Sequence, residues 1–172
     1  MGWATPSPLL KGIWQQFHRL DNQNDIIYDM TMLRFVLDTD VIIAAMRSPT
    51  GASAAILRAA DMQQVRLLSS VPLVLEYEAK CTDPKHFQAA TISAAAASNF
   101  VDAIAALCEP IELHFMWRPQ LPDPNDEMVL ETAINGQADA IVTFNLRHYG
   151  SVPSQFGIEV LLPSQAIWRI RS

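Results

Sequence analysis

The segment Phe35-Val-Leu-Asp-Thr-Asp-Val41 decides the fold. Its first residues continue an apolar run that begins at Leu33, and so short an apolar run is typical of a parallel strand buried on both faces. The run ends at Asp38, and a carboxylate in that position costs free energy unless a partner offsets its charge. We therefore interpret Asp38 as a functional residue. Asp40 is interpreted as the cap of a helix that begins at Val41.

Strand-like and helix-like segments alternate from Met32 onward. The predicted strands are 33–37, 65–68, 111–115, 140–143 and 158–162. The predicted helices are 51–64, 70–80, 84–90, 92–107, 123–136 and 163–170, with Asp123 capping the fifth. This alternation predicts an α/β fold with three layers, α/β/α, in which helices cover both faces of a central parallel sheet.

The first 31 residues differ from the rest and predict a division into an extension, 1–31, and a main domain, 32–172. Six apolar residues of the extension fall at helical spacing between Leu9 and Leu20 and predict a short amphipathic helix. It would lie on the domain or on a partner; binding to a membrane surface is a weaker alternative because only Lys11 and Arg19 provide positive charge. Translation from Met30 or Met32 is a further alternative.

Composition excludes several classes of protein. Of 172 residues, 50% are hydrophobic and 17% charged, which predicts one folded core and not a disordered chain. The net charge of −6 argues against coating nucleic acid by charge alone. Two cysteines and four scattered histidines do not predict a zinc site or a disulfide framework. With no membrane-spanning run and no signal peptide, we expect a soluble protein in the reducing cytoplasm.

Polar side chains are predicted near the carboxyl ends of several strands, where open α/β sheets bind ligands. Asp38 ends the first strand, and Asn145 follows the fourth. Asp126 falls on the apolar side of its predicted helix, with Glu127 and Glu131 toward the edge of that side. Glu76 and Glu78 flank the buried side of their helix equally, so the pattern does not choose between them.

Carboxylates without a histidine or cysteine partner suit a hard cation such as Mg²⁺ or Mn²⁺. Such an ion activates water and stabilises charge on a phosphate, which predicts hydrolysis of phosphodiester bonds. Candidates to hold the phosphate backbone are Arg47, Arg147, Arg169 and Arg171.

Four short motifs occur in order between Met32 and Ile170. They are Phe35–Ile43, Ser69–Tyr77, Asp123–Asp126 with Leu130–Ala133, and Ile141–Asn145. Together they resemble PIN domains, the metal-dependent ribonucleases found as toxins of bacterial toxin–antitoxin pairs.

This resemblance implies a sheet order of 3-2-1-4-5 and a magnesium site. Asp38, Glu76 and Asp126 match the principal family acids, so they are predicted to be catalytic and to bind the metal. Asn145 stands where many members have a fourth aspartate and is a predicted metal ligand, whereas Asp40 stands where asparagine is usual. The candidate supporting residues are Thr39, Asp40, Asp123 and Thr143. The resemblance further implies an RNA substrate, a small protein antitoxin and a homodimer.

Two other interpretations stay open. Val36–Val41 also fits the signature of haloacid-dehalogenase-like phosphatases, in which Asp38 would be the nucleophile. That family needs a later lysine and an acidic pair after a late strand, but the lysines of this chain are only Lys11, Lys80 and Lys85, and Ile141–Asn145 offers no such pair. Alternatively, the chain is a non-catalytic interaction module with the same scaffold, which the neutral Asn145 would favour.

Overall fold

The computed structural model describes residues 32–116 and 118–172. The predicted extension, 1–31, and its amphipathic helix lie outside the described residues, and the division into two domains stays a prediction.

Five parallel strands form one sheet in the order β3-β2-β1-β4-β5, as the family resemblance implies. Their bounds are Arg34–Leu37 (β1), Arg66–Ser69 (β2), Glu109–Pro110 (β3), Ala140–Val142 (β4) and Glu159–Leu161 (β5).

Eight α-helices are described between and after the strands. Their bounds are Thr39–Arg47 (α1), Ala52–Asp61 (α2), Val71–Cys81 (α3), Pro84–Ala89 (α4), Ala94–Leu107 (α5), Glu127–Asn135 (α6), Leu146–Tyr149 (α7) and Pro163–Arg171 (α8). A 3₁₀ helix, Pro153–Phe156, precedes β5. Within the described ranges, no helix has the length and apolar character that crossing a membrane requires.

The direction in which the chain crosses the sheet reverses between β1 and β4. Connections from β1 through β2 to β3 run one way, and β4 and β5 continue on the other side of β1. Because parallel crossovers are right-handed, this reversal distributes helices over both faces of the sheet. It also opens a crevice beyond the carboxyl ends of β1 and β4, the usual place for a ligand in such folds. The predicted fold class is confirmed.

The two central strands are buried as their composition predicts. Phe35 and Val36 of β1 and Ile141 and Val142 of β4 are fully enclosed, and α6 packs on both strands. Each such side chain contributes about 1.5–3 kcal/mol through removal from water. The rigid centre of the sheet therefore fixes the positions of the residues that follow β1 and β4.

The predicted third strand, 111–115, is wrong in position. β3 covers only Glu109–Pro110, and the ladder ends with the bond from the Ile111 N–H to the Ser69 carbonyl. Beyond this point β2 offers no further partner because the chain turns into α3. The side chain of Asn135 instead accepts hydrogen bonds from the His114 and Phe115 N–H groups, at 2.9 and 3.0 Å.

Two helix starts also differ from prediction. α1 begins at Thr39, so Asp38, and not Asp40, is its N-cap. α6 begins at Glu127, because Asp123 accepts a hydrogen bond from the Asn125 N–H at 2.9 Å and forms a turn ahead of the helix. Asp126 is therefore placed by this turn, just before the helix.

An ion-pair network lies at the amino ends of β1, β2 and β3. Glu109 accepts hydrogen bonds from Arg34 at 2.9 Å and from Arg66 at 3.0 Å. Burial alone would raise the pKa of Glu109, but the two guanidinium groups outweigh burial and lower it. The network joins three neighbouring strands through side chains as well as through the ladder.

We predict that Glu109→Gln lowers the free energy of unfolding at neutral pH by about 1 kcal/mol or less. Because the folded-state pKa lies below the unfolded value, the contribution of the ionised carboxylate is present above the unfolded pKa and is lost as pH falls through the folded one. Urea unfolding at a series of acidic to neutral pH values measures both effects. The matched control is Glu112→Gln, an exposed acid nearby; equal losses in both variants would contradict the prediction.

Candidate active site

Asp38 is buried, and both of its carboxylate oxygens accept hydrogen bonds. Oδ1 accepts from the N–H of Thr39, the first residue of α1, at 2.7 Å. Oδ2 accepts from the hydroxyl groups of Thr143, at 2.8 Å, and Tyr149, at 3.0 Å. These bonds offset the cost of burying the carboxylate and hold it at the end of β1, opposite the end of β4.

Asp40 lies beside Asp38, and only one of its two carboxylate oxygens accepts hydrogen bonds within the described residues. Its Oδ2 accepts hydrogen bonds from the Phe144 N–H at 3.1 Å and from the Asn145 amide at 3.0 Å. Its Oδ1 is shielded from solvent and has no hydrogen-bond partner in the described part of the chain. Burial and the neighbouring charge of Asp38 raise the pKa of Asp40 to about 6. The geometry leaves one buried oxygen for which a cation would be a suitable partner.

The hydroxyl group of Thr143 lies between these two acids. It is 2.8 Å from Asp38 Oδ2 and 3.4 Å from Asp40 Oδ2, and it accepts a hydrogen bond from the Asn145 N–H at 2.9 Å. Because a hydroxyl has one proton, the shorter contact with Asp38 is the stronger hydrogen bond. Thr143 thus orients both the acid on β1 and the backbone that follows β4.

A third acid, Asp126, reaches the same region from the turn before α6. Its Oδ2 lies 2.9 Å from Nδ1 of His148. Burial and the charge of Asp38 raise the pKa of Asp126, and the contact with His148 lowers it by less. Candidate ligand atoms of Asp123, Asp126 and His148 all lie within 4.8 Å of one another, so these residues could hold a metal ion.

The charges of all three acids act on the phenol of Tyr149. Its side chain is fully buried, and burial together with the charges of Asp38 and Asp126 raises the pKa of the phenol. The charge of Asp40 acts in the same direction. One neutral hydroxyl group therefore contacts Asp38 and is subject to the charges of two further carboxylates, Asp40 from the same segment and Asp126 from the turn before α6.

The family model of the PIN domain matches residues 34–147. The chain belongs to the PIN domain family. Neither the curated proteins nor the solved structures include a match to the chain. PIN domains are typically metal-dependent nucleases, and the acidic cluster of this one lies at the reversal of strand order between β1 and β4.

The donor set of this PIN domain fits a divalent cation. Burial, together with repulsion by the charge of Asp38, raises the pKa of both Asp40 and Asp126, and the buried Oδ1 of Asp40 has no hydrogen-bond donor within the described residues. A hard cation would offset the repulsion and supply that partner. His148 adds one nitrogen to a set that is otherwise made of oxygens.

Of the residues predicted from the sequence, Glu76 is the least closely associated with this cluster. It is partly buried on α3, where its carboxylate lies 3.6 Å from Lys80. The neighbouring Tyr77 donates a hydrogen bond to the Leu37 carbonyl and so holds α3 beside the end of β1. Glu78 is exposed. The role of Glu76 stays a prediction, supported by the anchoring of its helix near Asp38.

Sequence reasoning missed His148 and Tyr149. Both lie in α7, a helix of only four residues, and so short an element has no recognisable periodicity. Their spacing of three and four residues after Asn145 was the one available signal, since a single helical turn keeps such positions close to the strand end.

Glu127 and Glu131, which were expected toward the edge of the apolar side, are almost completely buried. Glu131 forms a bidentate ion pair with Arg118, at 2.8 and 2.7 Å. Glu127 accepts hydrogen bonds from the Gln120 and Leu121 N–H groups at 2.6 and 2.9 Å. These contacts assign the two glutamates to holding the loop before α6.

We predict that Asp40→Asn raises the melting temperature of the protein in EDTA and reduces the further rise caused by Mn²⁺. The folded-state pKa of about 6 exceeds the ordinary value of 3.8, so the ionised carboxylate is destabilising at neutral pH. The stability of the metal-free wild type should accordingly rise as pH falls through about 6 toward 3.8, and that of the variant should rise less over the same range. Calorimetry measures these changes.

The control for this prediction is Asp102→Asn, which removes an exposed acid of α5. It should leave the melting temperature in EDTA and the effect of Mn²⁺ close to those of the wild type. A destabilised Asp40→Asn protein with an undiminished response to Mn²⁺ would contradict the repulsion that we infer.

Proposed function

We propose that this PIN domain is a ribonuclease that requires Mg²⁺ or Mn²⁺ and acts in the cytoplasm as the toxin of a toxin–antitoxin pair. The observation that carries the nuclease proposal is that adjacent residues of α7 contact two acids, His148 contacting Asp126 and Tyr149 contacting Asp38. The Thr143 hydroxyl beyond β4 joins Asp38 to Asp40 in the same region. Family membership supports the same activity. RNA as the substrate and the role as a toxin rest on the resemblance to toxin members of the family.

In this proposal, Asp38, Glu76, Asp126 and Asn145 hold the metal. When bound, the ion activates water for hydrolysis and offsets negative charge on the phosphodiester. Thr39, Asp40, Asp123 and Thr143 support the ligands. Thr39 and Thr143 do so for Asp38, because the Thr39 N–H and the Thr143 hydroxyl donate hydrogen bonds to its carboxylate at 2.7 and 2.8 Å. Contacts of this kind orient carboxylates that bind a metal.

The phosphatase alternative has little support. Within the described residues, the lysine that would steady a phospho-aspartate has no counterpart among the side-chain hydrogen-bond partners of Asp38, which are the Thr39 N–H and the hydroxyl groups of Thr143 and Tyr149. The family match also covers the segment that carries the phosphatase-like signature.

The non-catalytic alternative has one specific observation in its favour. The amide of Asn145 donates a hydrogen bond to Asp40 at 3.0 Å, so this position adds a hydrogen donor where many family members add a negative charge. A binding module could keep such an arrangement without cleaving RNA. Cleavage assays on purified protein distinguish the two.

We predict that Asp38→Asn and Asp126→Asn each lower the rate of RNA cleavage by about a hundredfold or more, because ligands to an essential metal are lost. Structured RNA incubated with full-length protein and Mg²⁺ or Mn²⁺ provides the assay, and EDTA should abolish cleavage. Calorimetry should show that both variants remain folded.

Glu76→Gln and Glu78→Gln form a matched pair for the acid that the sequence pattern left undecided. The two residues share α3, but Glu76 is partly buried and Glu78 exposed. We expect a large loss of cleavage in the first variant and little change in the second. Cleavage that is equal in the wild type and in all acid variants would indicate a contaminating nuclease and contradict the proposed site.

The toxin role makes a separate prediction. Expression of the wild type in bacteria should arrest growth, whereas expression of Asp126→Asn at the same level should not, and co-expression of a small protein encoded in the adjacent reading frame should restore growth. Growth unaffected by a cleavage-competent protein would favour an RNA-processing role.

A homodimer is a separate expectation. Light scattering should give the mass of a homodimer, and the mass of a monomer would contradict the expected assembly.

A further inference from the structure

Of the four arginines suggested by the sequence, Arg147 is the one that the structure places at the acidic site. Arg47 ends α1, about 12 Å along the helix from its start at Thr39, and its guanidinium contacts His86 at 2.7 Å. Arg169 lies 3.8 Å from Glu159, the first residue of β5, and thus toward the opposite edge of the sheet. Arg171 follows at the end of the same helix.

Arg147 lies between residues that contact the acids. Asn145 donates to Asp40, and His148 contacts Asp126. The side chain of Arg147 is exposed and forms no hydrogen bond or ion pair with residues 32–116 and 118–172. Together with Asp123 it lines an open groove of about 540 Å³. The other lining residues are Pro122, Pro124 and His148. In a protein of net charge −6, a guanidinium left available beside the acidic cluster is suited to a phosphate.

Phe144 presents an aromatic ring on the same segment. Its N–H donates to Asp40 at 3.1 Å, and the next N–H, of Asn145, donates to Thr143 at 2.9 Å. These bonds fix the backbone at the site, yet the exposed fraction of Phe144 is 51%. A fixed, half-exposed ring next to a phosphodiester site provides a surface on which a nucleic-acid base can stack.

We propose that the segment Phe144–His148 binds single-stranded RNA, with the ring of Phe144 stacked on an unpaired base and the guanidinium of Arg147 bound to a neighbouring phosphate. Bases within a duplex already stack on one another, so a protein ring has access only to an unpaired one. The inference rests on the proposed function for the nature of the ligand. It adds two binding residues, Phe144 and Arg147, to that function.

Binding is measured separately from cleavage to test the proposal. Fluorescence anisotropy with a short labelled single-stranded RNA, and with the same RNA in a duplex, is recorded on full-length protein in Ca²⁺, with gels to verify that the RNA is intact. Phe144→Ala should weaken single-strand binding about tenfold, since base stacking on an aromatic ring contributes about 1–3 kcal/mol. Phe144→Tyr should restore it, and Phe144→Leu should not.

Arg147→Gln should weaken binding and lower the slope of log Kd against log salt by about 0.7, the value for one phosphate contact on a single strand. Arg147→Lys should keep that slope. In cleavage assays Phe144→Ala and Arg147→Gln should each raise KM much more than they lower kcat. The controls are Trp168→Ala and Arg171→Gln, which remove an exposed aromatic ring and an exposed guanidinium from α8.

Wild-type affinity in Phe144→Ala, or equal affinity of the wild type for duplex and single strand, would overturn the proposal while leaving the nuclease function intact. Single-strand binding that depends on Phe144 in a protein that cleaves no RNA would support it and refute the nuclease function. A protein that binds no RNA would overturn both.

Discussion

The pairing of β1 with β4 is the constraint on which the rest of the structure depends. The Asp38 N–H bonds to the Val142 carbonyl at 2.9 Å and so continues the ladder past the last residue of β1. This bond places an acid from one strand opposite the threonine that follows the other, although 105 residues separate them in sequence. Without this register, the hydroxyl groups of Thr143 and Tyr149 could not stabilise the buried carboxylate.

Most of the fold could be predicted from the sequence because the strands beside the sheet centre are short apolar runs and the helices have clear periodicity. The errors occur where side chains bond to nearby backbone. Asn135 takes up the N–H groups of residues that were expected to form β3, and Asp123 closes a turn where a helix cap was expected. Such contacts depend on tertiary position or on local competition, which periodicity does not record.

The candidate site was partly predictable for related reasons. Asp38 is predictable because it ends a buried strand, a feature that a sequence displays. Asp126 is predictable because it falls on the apolar side of the predicted helix, although the structure places it in the turn before that helix. The unpartnered oxygen of Asp40 and the contact between His148 and Asp126 arise only when three segments meet. The preference for Glu76 over Glu78 came from family resemblance, since both flank the buried side of one helix.

Position 143 must satisfy two demands at once. It is fully buried and continues the ladder through its bond to the Leu161 carbonyl at 3.0 Å, which favours a β-branched side chain. It must also provide a hydroxyl group between two acids. Threonine alone among the standard amino acids is both β-branched and hydroxylated. Valine would keep the β-branched side chain of the strand but remove the hydroxyl that bonds Asp38 and the Asn145 N–H, whereas serine would keep the hydroxyl and lose the β-branched packing.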